Sequence, residues 1–565
     1  MSRQTSRRVL FLSVLTIMVL LLSSCAPAAT STTAATTTAK GTTAAATAGT
    51  TVAAFKGDAN LNEPGVKPIC KNKVALKLAV AQNAMVEDFK QNYQTQLVEK
   101  YGNYDLSFDV YPSGEFKQKI TLMVTAGGSD LPDAILLNPG DSTVYDWGKA
   151  GAIVALNSYY DNSSFYLKEA VKRTGVNFLP MITSPDGKIY NIPAYNQSLT
   201  NEYPAKIWIY QPWLDKLGLK APTTTDELYA VLKAFKEKDP NGNGKADEVP
   251  MAGYAANYFW FMALMNPFQY ISAGNDYVVQ NGKVGVNFNT DGYKQGLAFI
   301  NKLTTEGLLS PLTFTQDNTQ YRAMINDAAT ILGVTVGLGN NELAATDKRR
   351  AEYVGIAPLK GANGTQYASW APSIASPAMM ITKTCKNPEA AFRLGDLLVS
   401  EELSIITRWG EKGVDWLEPA ATDKSLYDAM GYKPVLKAVL QWGPAQKKDW
   451  AQTGPYIRQY SIALGAIWSG NTLEIGLMVA KIQDAYTDKH PKDVVSKLIF
   501  TKEESDVANE IITNLTSYKN ESLARFAVGE MSVDKNWAGY IKELDTIGLQ
   551  KLLPILQAAY DRMNK

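Results

Sequence analysis

Apolar and polar residues alternate along residues 74–80, and directly afterwards the apolar positions step by four from Met85 to Leu97. The alternation predicts a strand, and the longer period predicts a helix that ends near Gly102. The same patterns predict a second strand at 106–110, a second helix at 116–124 and a third strand at 134–137. Strands and helices that alternate at these lengths are typical of a parallel sheet with right-handed crossovers, so the fold class is α/β.

Further along the chain the pattern changes from mixed to mainly helical. Short strands are predicted at 206–210, 284–286, 331–334 and 353–356, and helices at 390–407, 472–485, 503–528 and 535–560. The chain has 565 residues, of which 45% are hydrophobic. That length exceeds one compact core, so two lobes are expected.

A polar loop at residues 239–248 follows a well-marked helix. Thr224 and Glu227 have the spacing of a capping box, and apolar residues recur at helical spacing from Leu228 to Phe235. The loop places oxygen-bearing side chains at its first, third and fifth positions and glycine at its sixth. This spacing suits a hard cation, and calcium is the expected one. The expected ligands are Asp239, Asn241, Asn243, the carbonyl of Lys245, Asp247 and Glu248.

The loop departs from an EF-hand at its end. Pro250 stands at the twelfth position, where an EF-hand carries glutamate, so Asp247 or Glu248 has to close the site. A loop that satisfies the ion with its own oxygens leaves little open coordination, which favours a structural role. The alternative is a polar turn rich in Gly and Asn after a helix.

The first 25 residues resemble a bacterial lipoprotein signal. A basic start precedes an apolar run at 9–22, and Leu-Ser-Ser-Cys ends at Cys25. This resemblance implies that residues 1–24 are removed, that Cys25 carries lipid such as palmitate, and that the protein is tethered outside the cell membrane. Residues 25–67 are rich in Ala and Thr, a composition that cannot bury enough surface to fold, and are expected to form a disordered tether.

Charge and rare residues exclude several function classes. Lys plus Arg number 56 and Asp plus Glu 55, which argues against a nucleic-acid-binding surface. The single histidine, His490, lies in a polar turn, so catalysis by Ser-His-Asp or Cys-His and a His-rich zinc site are not expected. Cys70 and Cys385 remain after lipidation; free thiols are the default, and a disulfide stays open.

Several stretches resemble the sugar-binding lipoproteins of ABC importers, the extracellular solute-binding proteins of family 1, and most closely their alginate-oligosaccharide-binding branch. The stretches are Gly-Gly-Ser-Asp-Leu-Pro-Asp-Ala at 127–134, residues 188–193, 213–219 and the loop 239–248, and the terminal segments 526–530 and 558–562. In that branch the loop carries calcium on the positions named above. Members commonly have a basic residue and an Asp in the segment that spans 208–213 here, and this chain has neither there.

The resemblance implies a two-lobed periplasmic-binding-protein-like fold of type II, with the ligand cleft between the lobes and extra C-terminal helices. The N-terminal lobe would comprise 71–190 and part of 328–380, and the C-terminal lobe 191–327 and 386–565. The implied protein is no enzyme: it is a lipid-anchored monomer that captures an oligosaccharide by lobe closure and passes it to ABC permease subunits. A surface glycosidase or lyase and a binding protein for peptide or another solute are the alternatives.

Aromatic residues supply the candidates for sugar binding. The chain has 11 Trp and 29 Tyr, and sugars stack the apolar faces of their rings on aromatic side chains. Gln82 and Asn83 follow the first strand at its carboxyl end, where open α/β sheets place ligands. The full set of candidates is Gln82, Asn83, Tyr258, Trp260, Trp370, Arg408, Trp409, Glu411 and Trp442.

Overall fold

A computed structural model describes residues 57–339, 342–344, 347–439, 444–468 and 475–563, so the signal segment, Cys25 and Trp442 lie outside the described residues. The strands are β1 (Val74–Ala81), β2 (Tyr104–Tyr111), β3 (Ala134–Leu136), β4 (Ile192–Asn196), β5 (Lys206–Tyr210), β6 (Val249–Met251), β7 (Tyr277–Gln280), β8 (Lys283–Val286), β9 (Leu332–Gly337), β10 (Tyr353–Ile356), β11 (Ser376–Ile381), β12 (Trp416–Leu417), β13 (Leu436–Ala438), β14 (Tyr456–Arg458) and β15 (Ala466–Trp468).

The helices outnumber the strands. They are α1 (Tyr93–Gly102), α2 (Phe116–Thr125), α3 (Asp141–Lys149), α4 (Asn157–Asn162), α5 (Tyr166–Thr174), α6 (Leu179–Ile182), α7 (Leu199–Glu202), α8 (Gln211–Leu217), α9 (Thr225–Glu237), α10 (Phe259–Met265), α11 (Asp291–Thr305), α12 (Asn318–Ile325), α13 (Pro388–Leu398), α14 (Glu401–Trp409), α15 (Tyr460–Gly465), α16 (Ile475–Tyr486), α17 (Lys502–Ala527), α18 (Val533–Ile547) and α19 (Leu549–Met563). In the described part of the chain, none of them is both long and apolar enough to span a membrane.

The first lobe is built on a six-stranded sheet in the order β14-β4-β11-β3-β1-β2. β1 pairs in parallel with β2 and with β3, and β14 pairs in parallel with β4. Only β11 runs against its neighbours β3 and β4. The predicted α/β class and the first three strands are therefore confirmed.

The helix predicted from Met85 to near Gly102 ends as predicted but is wrong in its first half. α1 begins at Tyr93, because the extended residue Asn92 caps it and its side chain accepts a hydrogen bond from the Gln94 amide. Upstream, the side chain of Asn83 accepts from the Met85 amide at 3.0 Å and closes a turn. Phe89 is buried there because it packs on Phe108 and Trp450, so its place in the apolar pattern reflects tertiary packing.

The second lobe contains the four-stranded sheet β10-β5-β9-β6. The predicted strands at 206–210 and 353–356 are β5 and β10, with the predicted bounds. The helices α17, α18 and α19 share its hydrophobic core, as expected of extra C-terminal helices. The predicted helix at 535–560 is two helices, because Gly548 between α18 and α19 adopts a left-handed φ of 125°.

The packing of the last third of the chain differs from the expected lobe boundaries. Residues of β4, α13, α14 and β14 lie in the core of the first lobe, whereas residues 191–196 and 386–458 were expected in the second. The C-terminal helices do belong to the second core. The chain therefore returns to the first lobe later than the sequence suggests and stays there through β14, because the apolar faces of α13 and α14 cover the first sheet.

The expected tether ends earlier than residue 67. The Asp58 amide donates to Glu389 at 2.7 Å, and Arg393 donates to the carbonyls of Asn62 and Glu63, both at 3.0 Å. Leu61 is buried in the core of the first lobe. Residues from Gly57 onward are thus part of the fold, since α13 offers them charged partners.

The two cysteines within the described residues do not form a disulfide. Cys70 and Cys385 are both free and buried. Burial raises the pKa of Cys70 to about 11 and that of Cys385 to about 12, so both are protonated thiols at neutral pH.

Candidate functional site

Within the described residues, three segments pass between the two sheets. Residues 197–205 connect β4 to β5, and residues 357–375 connect β10 to β11. The third follows β14 through α15 and β15, and the description resumes at α16, since residues 469–474 lie outside the described residues. α16 packs on β10 in the second lobe. Two sheets joined by several such crossings are free to bend towards each other around a cleft.

Both sheets present the carboxyl ends of parallel strands to this cleft. In the first sheet β1, β2, β3, β4 and β14 share one direction. In the second, β6 and β9 run in parallel, and β10 ends beside the start of β5, where Ile356 pairs with Ile207. The ends of β6, β9 and β10 therefore lie on the side from which the crossings enter. Ligands of open α/β sheets bind at such edges.

One carboxylate links all three crossings. Glu202, 5% exposed, accepts a hydrogen bond from the Ser373 hydroxyl at 2.5 Å and another from the Tyr460 hydroxyl. Its backbone carbonyl also accepts from the Ala371 amide at 2.9 Å. Glu202 lies in the first crossing, Ser373 in the second and Tyr460 in the third; these three residues with Asn196 are called the Glu202 cluster below.

The cluster continues into the base of the cleft. The Ser373 hydroxyl donates to the Asn196 carbonyl at 2.9 Å, and Arg458 donates to the Asn196 side chain at 2.6 Å. Burial lowers the pKa of Arg458. Burial, and then the charge of Arg458, lower the pKa of Arg408 to about 9. The base of the cleft is thus polar and held by hydrogen bonds between distant segments.

Three of the predicted ligand residues lie where a ligand could reach them. Gln82 and Asn83 follow β1 at the cleft edge, and Gln82 is exposed. Trp370 lies in the second crossing and is half-buried, with one face stacked on His490 at 3.9 Å between ring centroids. Only the other face of Trp370 remains for a further ring.

Two predicted tryptophans are core residues. Trp260 is 4% exposed and packs edge-on against Phe314, and Trp409 is 2% exposed in a small cluster with Trp416. Neither has a ring face open to a ligand, because both are buried, and the Arg408 guanidinium also lies 5.4 Å from the centroid of the Trp409 ring. Their placement corrects the sequence-based choice of these two residues as sugar ligands.

The remaining candidates differ in their contacts and burial. Arg408 donates to the Gln452 side chain at 2.9 Å, and the Glu411 amide donates to Asp415 at 2.9 Å. Tyr258 is half-buried at the start of α10, beside a pocket in the second lobe. Trp442 lies outside the described residues.

The loop 239–248 joins the end of α9 to the start of β6. Thr224 caps α9 as predicted, because its side chain accepts a hydrogen bond from the Glu227 amide. The Glu227 side chain in turn accepts from the amide of Thr223, one residue before the cap. The Asp239 carboxylate accepts from the amides of Gly242, Asn243 and Gly244 at 2.9–3.1 Å. The loop therefore wraps around the side chain at its first position.

The two carboxylates at the end of the loop, Asp247 and Glu248, differ in their hydrogen bonding. The side-chain amides of Asn241 and Asn243 donate to Asp247 and lower its pKa. One carboxylate oxygen of Glu248 is buried with no hydrogen-bond partner in the described part of the chain. Burial raises the pKa of Glu248, and the charges of Asp239 and Asp247 add to that effect.

This arrangement fits a hard cation. A buried, unpaired carboxylate oxygen beside two further carboxylates is relieved by positive charge. Among the described residues no three or more His, Cys, Asp or Glu side chains are gathered in a metal-holding group. An ion here would therefore also need the side-chain oxygens of Asn241 and Asn243 and the carbonyl of Lys245, which are oxygen ligands of the kind that calcium takes.

Residues 78–403 match the bacterial extracellular solute-binding protein family. The chain belongs to this family. Its two sheets joined by three crossings are the two-lobed fold that the earlier resemblance implied, so the predicted family and fold are confirmed.

Individual relatives of this solute-binding protein have been characterised. A Streptococcus pneumoniae serotype 4 protein, the fructooligosaccharide ABC transporter substrate-binding protein FusA, is 27% identical over 88% of this chain and 92% of its own. The FusA complex with kestose superposes with a TM-score of 0.67 at 26% identity, covering 87% of this chain and 99% of that one. An EF-hand mutant of FusA with fructo-nystose gives a TM-score of 0.68 with the same identity and coverage.

Two further similarities are more distant. Lipoprotein LipO of Bacillus subtilis strain 168 is 28% identical over 56% of this chain and 62% of its own. The alginate-binding protein AlgQ2, solved without calcium ion, has a TM-score of 0.61 at 23% identity over 89% of this chain and 100% of that one. At that identity AlgQ2 supports the fold alone.

Sequence reasoning missed the Glu202 cluster and the polar lining of the pocket beside Tyr258. Glu202 lies in an ordinary segment, Leu-Thr-Asn-Glu-Tyr, and its partners follow 171 and 258 positions later. The one local signal is that an acidic residue stands four positions before an apolar strand.

Proposed function

We propose that this protein captures an oligosaccharide in the cleft between its lobes and delivers it to the permease subunits of an ABC importer. The observation that carries the proposal is the similarity to FusA along nearly the whole of both chains, together with the kestose in a FusA structure of the same fold. The half-exposed Trp370 and the polar side chains at the cleft edge supply the stacking and hydrogen-bonding groups that sugars need.

The mechanism is closure without covalent chemistry. A ligand that touches both cleft edges is bound better by the closed form, so it shifts the lobes towards closure. The Glu202 cluster would keep the three crossings together while the lobes bend, because the hydrogen bonds of the Glu202 carboxylate join the first crossing to the other two. The closed, liganded form would then dock on the permease pair.

The loop 239–248 would hold a structural calcium ion through Asp239, Asn241, Asn243, the carbonyl of Lys245, Asp247 and Glu248. An ion there would neutralise three carboxylates and so stabilise the junction between α9 and β6. The support is the buried, unpaired oxygen of Glu248 and the EF-hand named for FusA.

The protein would act on the outer face of the bacterial membrane. Lipid on Cys25 would anchor it, and the residues rich in Ala and Thr before Gly57, where the described residues begin, would form the tether. LipO, a relative, is named as a lipoprotein. We also propose that the protein works as a monomer and does not cleave its ligand.

The experiment is a thermal-shift screen of the chain from about residue 50, in calcium, against neutral oligosaccharides, uronate oligosaccharides and peptides. A ligand at a hundred times its dissociation constant adds about 2.7 kcal/mol to the folded state. A shift with one glycan class, with the glycan recovered uncut, is the expected result. A shift only with peptides, or one that decays as sugar is cleaved, would contradict the proposal.

A further inference from the structure

A pocket of about 260 Å³ opens in the second lobe between the start of α10 and the middle of α17. Apolar side chains, among them Phe261 and Ile271, line part of it, and polar side chains, among them Tyr258, Asp276, Lys519 and Asn520, line another part. An apolar wall with a few converging polar groups is the usual make-up of a small-molecule site. At this size the pocket suits a single sugar ring.

The charged groups of the pocket are already paired. Lys519 donates to Asp276 at 2.6 Å, and the Lys519 side chain is only 9% exposed. Its ammonium also lies 5.8 Å from the centroid of the Tyr258 ring. The pair thus adds no net charge to the pocket, although both members can hydrogen-bond to a neutral ligand.

A further polar group of the pocket lacks a partner. The side-chain oxygen of Asn520 is buried and makes no hydrogen bond within the described residues. The half-buried Tyr258 lines the same pocket, and burial and the charge of Asp276 raise its pKa to about 12, so its hydroxyl is a donor at neutral pH. An unpaired buried polar group is costly, and one ligand hydroxyl would satisfy the Asn520 oxygen while another could accept from Tyr258.

The position of the pocket connects it to the cleft. Tyr258 follows β6, which ends at the cleft edge of the second sheet. The amide of Ala273 donates to the Trp370 carbonyl in the second crossing at 3.3 Å, and the Tyr270 hydroxyl donates to the same carbonyl at 2.8 Å. A ligand ring in the pocket would therefore lie close to the crossing that carries Trp370.

We propose that this pocket binds one uncharged sugar ring of the captured glycan, and that it selects neutral glycans over uronates. The inference rests on the proposed function and adds the site and the substrate class. The Tyr258 ring supplies the stacking face, while Asp276, Lys519 and Asn520 contact hydroxyls. A uronate would bring a second carboxylate beside Asp276 with a single buried ammonium to share, which leaves a negative charge desolvated and unpaired.

The test is calorimetric titration of the chain with Cys25→Ser, which removes the lipid site. The probes are kestose, nystose and other neutral oligosaccharides, and trigalacturonate as the acidic one. The pocket variants are Tyr258→Ala, Tyr258→Phe and Asp276→Asn. Tyr229→Ala is the control, because Tyr229 also has a lysine ammonium over its ring, that of Lys302 at 3.7 Å, but donates its hydroxyl to Glu306 and lies outside the pocket.

We expect a neutral glycan to bind the parent, and Tyr258→Ala and Asp276→Asn to weaken it at least about tenfold, or about 1.4 kcal/mol. Tyr258→Phe, which keeps the ring, should lose less affinity for the glycan. The dissociation constant of Tyr229→Ala should stay within about twofold of that of the parent. Neutral glycan bound equally by parent and pocket variants would overturn the pocket assignment and leave the proposed function standing. Equal affinity for trigalacturonate would overturn the selectivity, and a parent that binds no glycan would overturn the proposed function itself.

Discussion

The loop 239–248 and the Glu202 cluster both gather polar side chains, but they draw them from very different spans of sequence. The loop uses ten consecutive residues, whereas the Glu202 carboxylate binds partners 171 and 258 positions away. The loop is largely exposed and Glu202 is 5% exposed. A site made of consecutive residues can thus be predicted from the spacing of its residue types. A site made of residues that are distant in sequence depends on the completed fold.

The two regions should also differ in how they respond to perturbation. The hydrogen bonds of the Glu202 cluster are buried, so losing one partner leaves desolvated groups unpaired. Those of the loop are close to water, which replaces lost contacts at low cost. Perturbations of the crossings should therefore change stability more than perturbations of the loop.

The largest effect is expected at Lys206, which follows the first crossing. Its ammonium donates to the Tyr203 carbonyl, and burial lowers its pKa to about 7 from 10.5. The unfolded chain therefore binds more protons between those values, and the free energy of unfolding rises with pH by roughly 5 kcal/mol across that window. Lys206→Met should stabilise the protein most below pH 7 and flatten this rise, as urea unfolding at pH 6 and pH 9.5 would show.

The control for Lys206 is Lys220→Met, since Lys220 is exposed. That variant should follow the parent at both pH values. A Lys206→Met protein with the same pH dependence as the parent would show that the buried amine is not the source of the slope.

Glu202→Ala is the next largest perturbation. It removes two charge-assisted hydrogen bonds and leaves the Tyr460 hydroxyl without its partner, at a cost of about 3–4 kcal/mol in the free energy of unfolding. Because the three crossings lose their common link, small-angle scattering should also show a changed distance between the lobes. Glu202→Gln, which keeps the shape of the side chain, should lower the free energy of unfolding by less.

Glu237→Ala, at the exposed end of α9, serves as the comparison for Glu202→Ala and should change stability by less than about 1 kcal/mol. If Glu202→Ala proved as mild as this variant, the crossings would be held by packing alone.

The same contrast explains what the sequence could predict. β5 and β10 appear at the predicted residues because their apolar runs are short and bounded by polar segments. The helix predicted from Met85 failed since Phe89 belongs to a cluster with Trp450, more than 350 residues later. Trp260 and Trp409 were predicted as sugar ligands, yet both are buried in hydrophobic clusters. Features set by neighbouring residues could be predicted from the sequence, whereas contacts between distant segments could not.

Calcium removal tests the contiguous region. Chelation should lower the melting temperature of the parent, because an ion at a hundred times its dissociation constant contributes about 2.7 kcal/mol. Asp239→Ala combined with Asp247→Ala should melt lower in calcium and lose the response to chelator. Asp226→Ala, at an exposed position of α9, should keep that response. A double variant that kept it too would contradict a calcium site in this loop.

The smallest effect is expected from a substitution that tests only the backbone conformation of the loop. Gly244 has a φ of +73°, and a Cβ added there would meet no atom within 4 Å, so Gly244→Ala should cost about 1 kcal/mol through conformation alone. Gly114 offers the matched control, because a Cβ there is equally free of contacts and its φ is not left-handed. The loss at Gly244 should be greatest in calcium, which requires the turned loop, and should shrink in chelator, where the exposed loop can relax. Equal losses at Gly244 and Gly114 in thermal melts would show that the left-handed turn is not what holds the loop in shape.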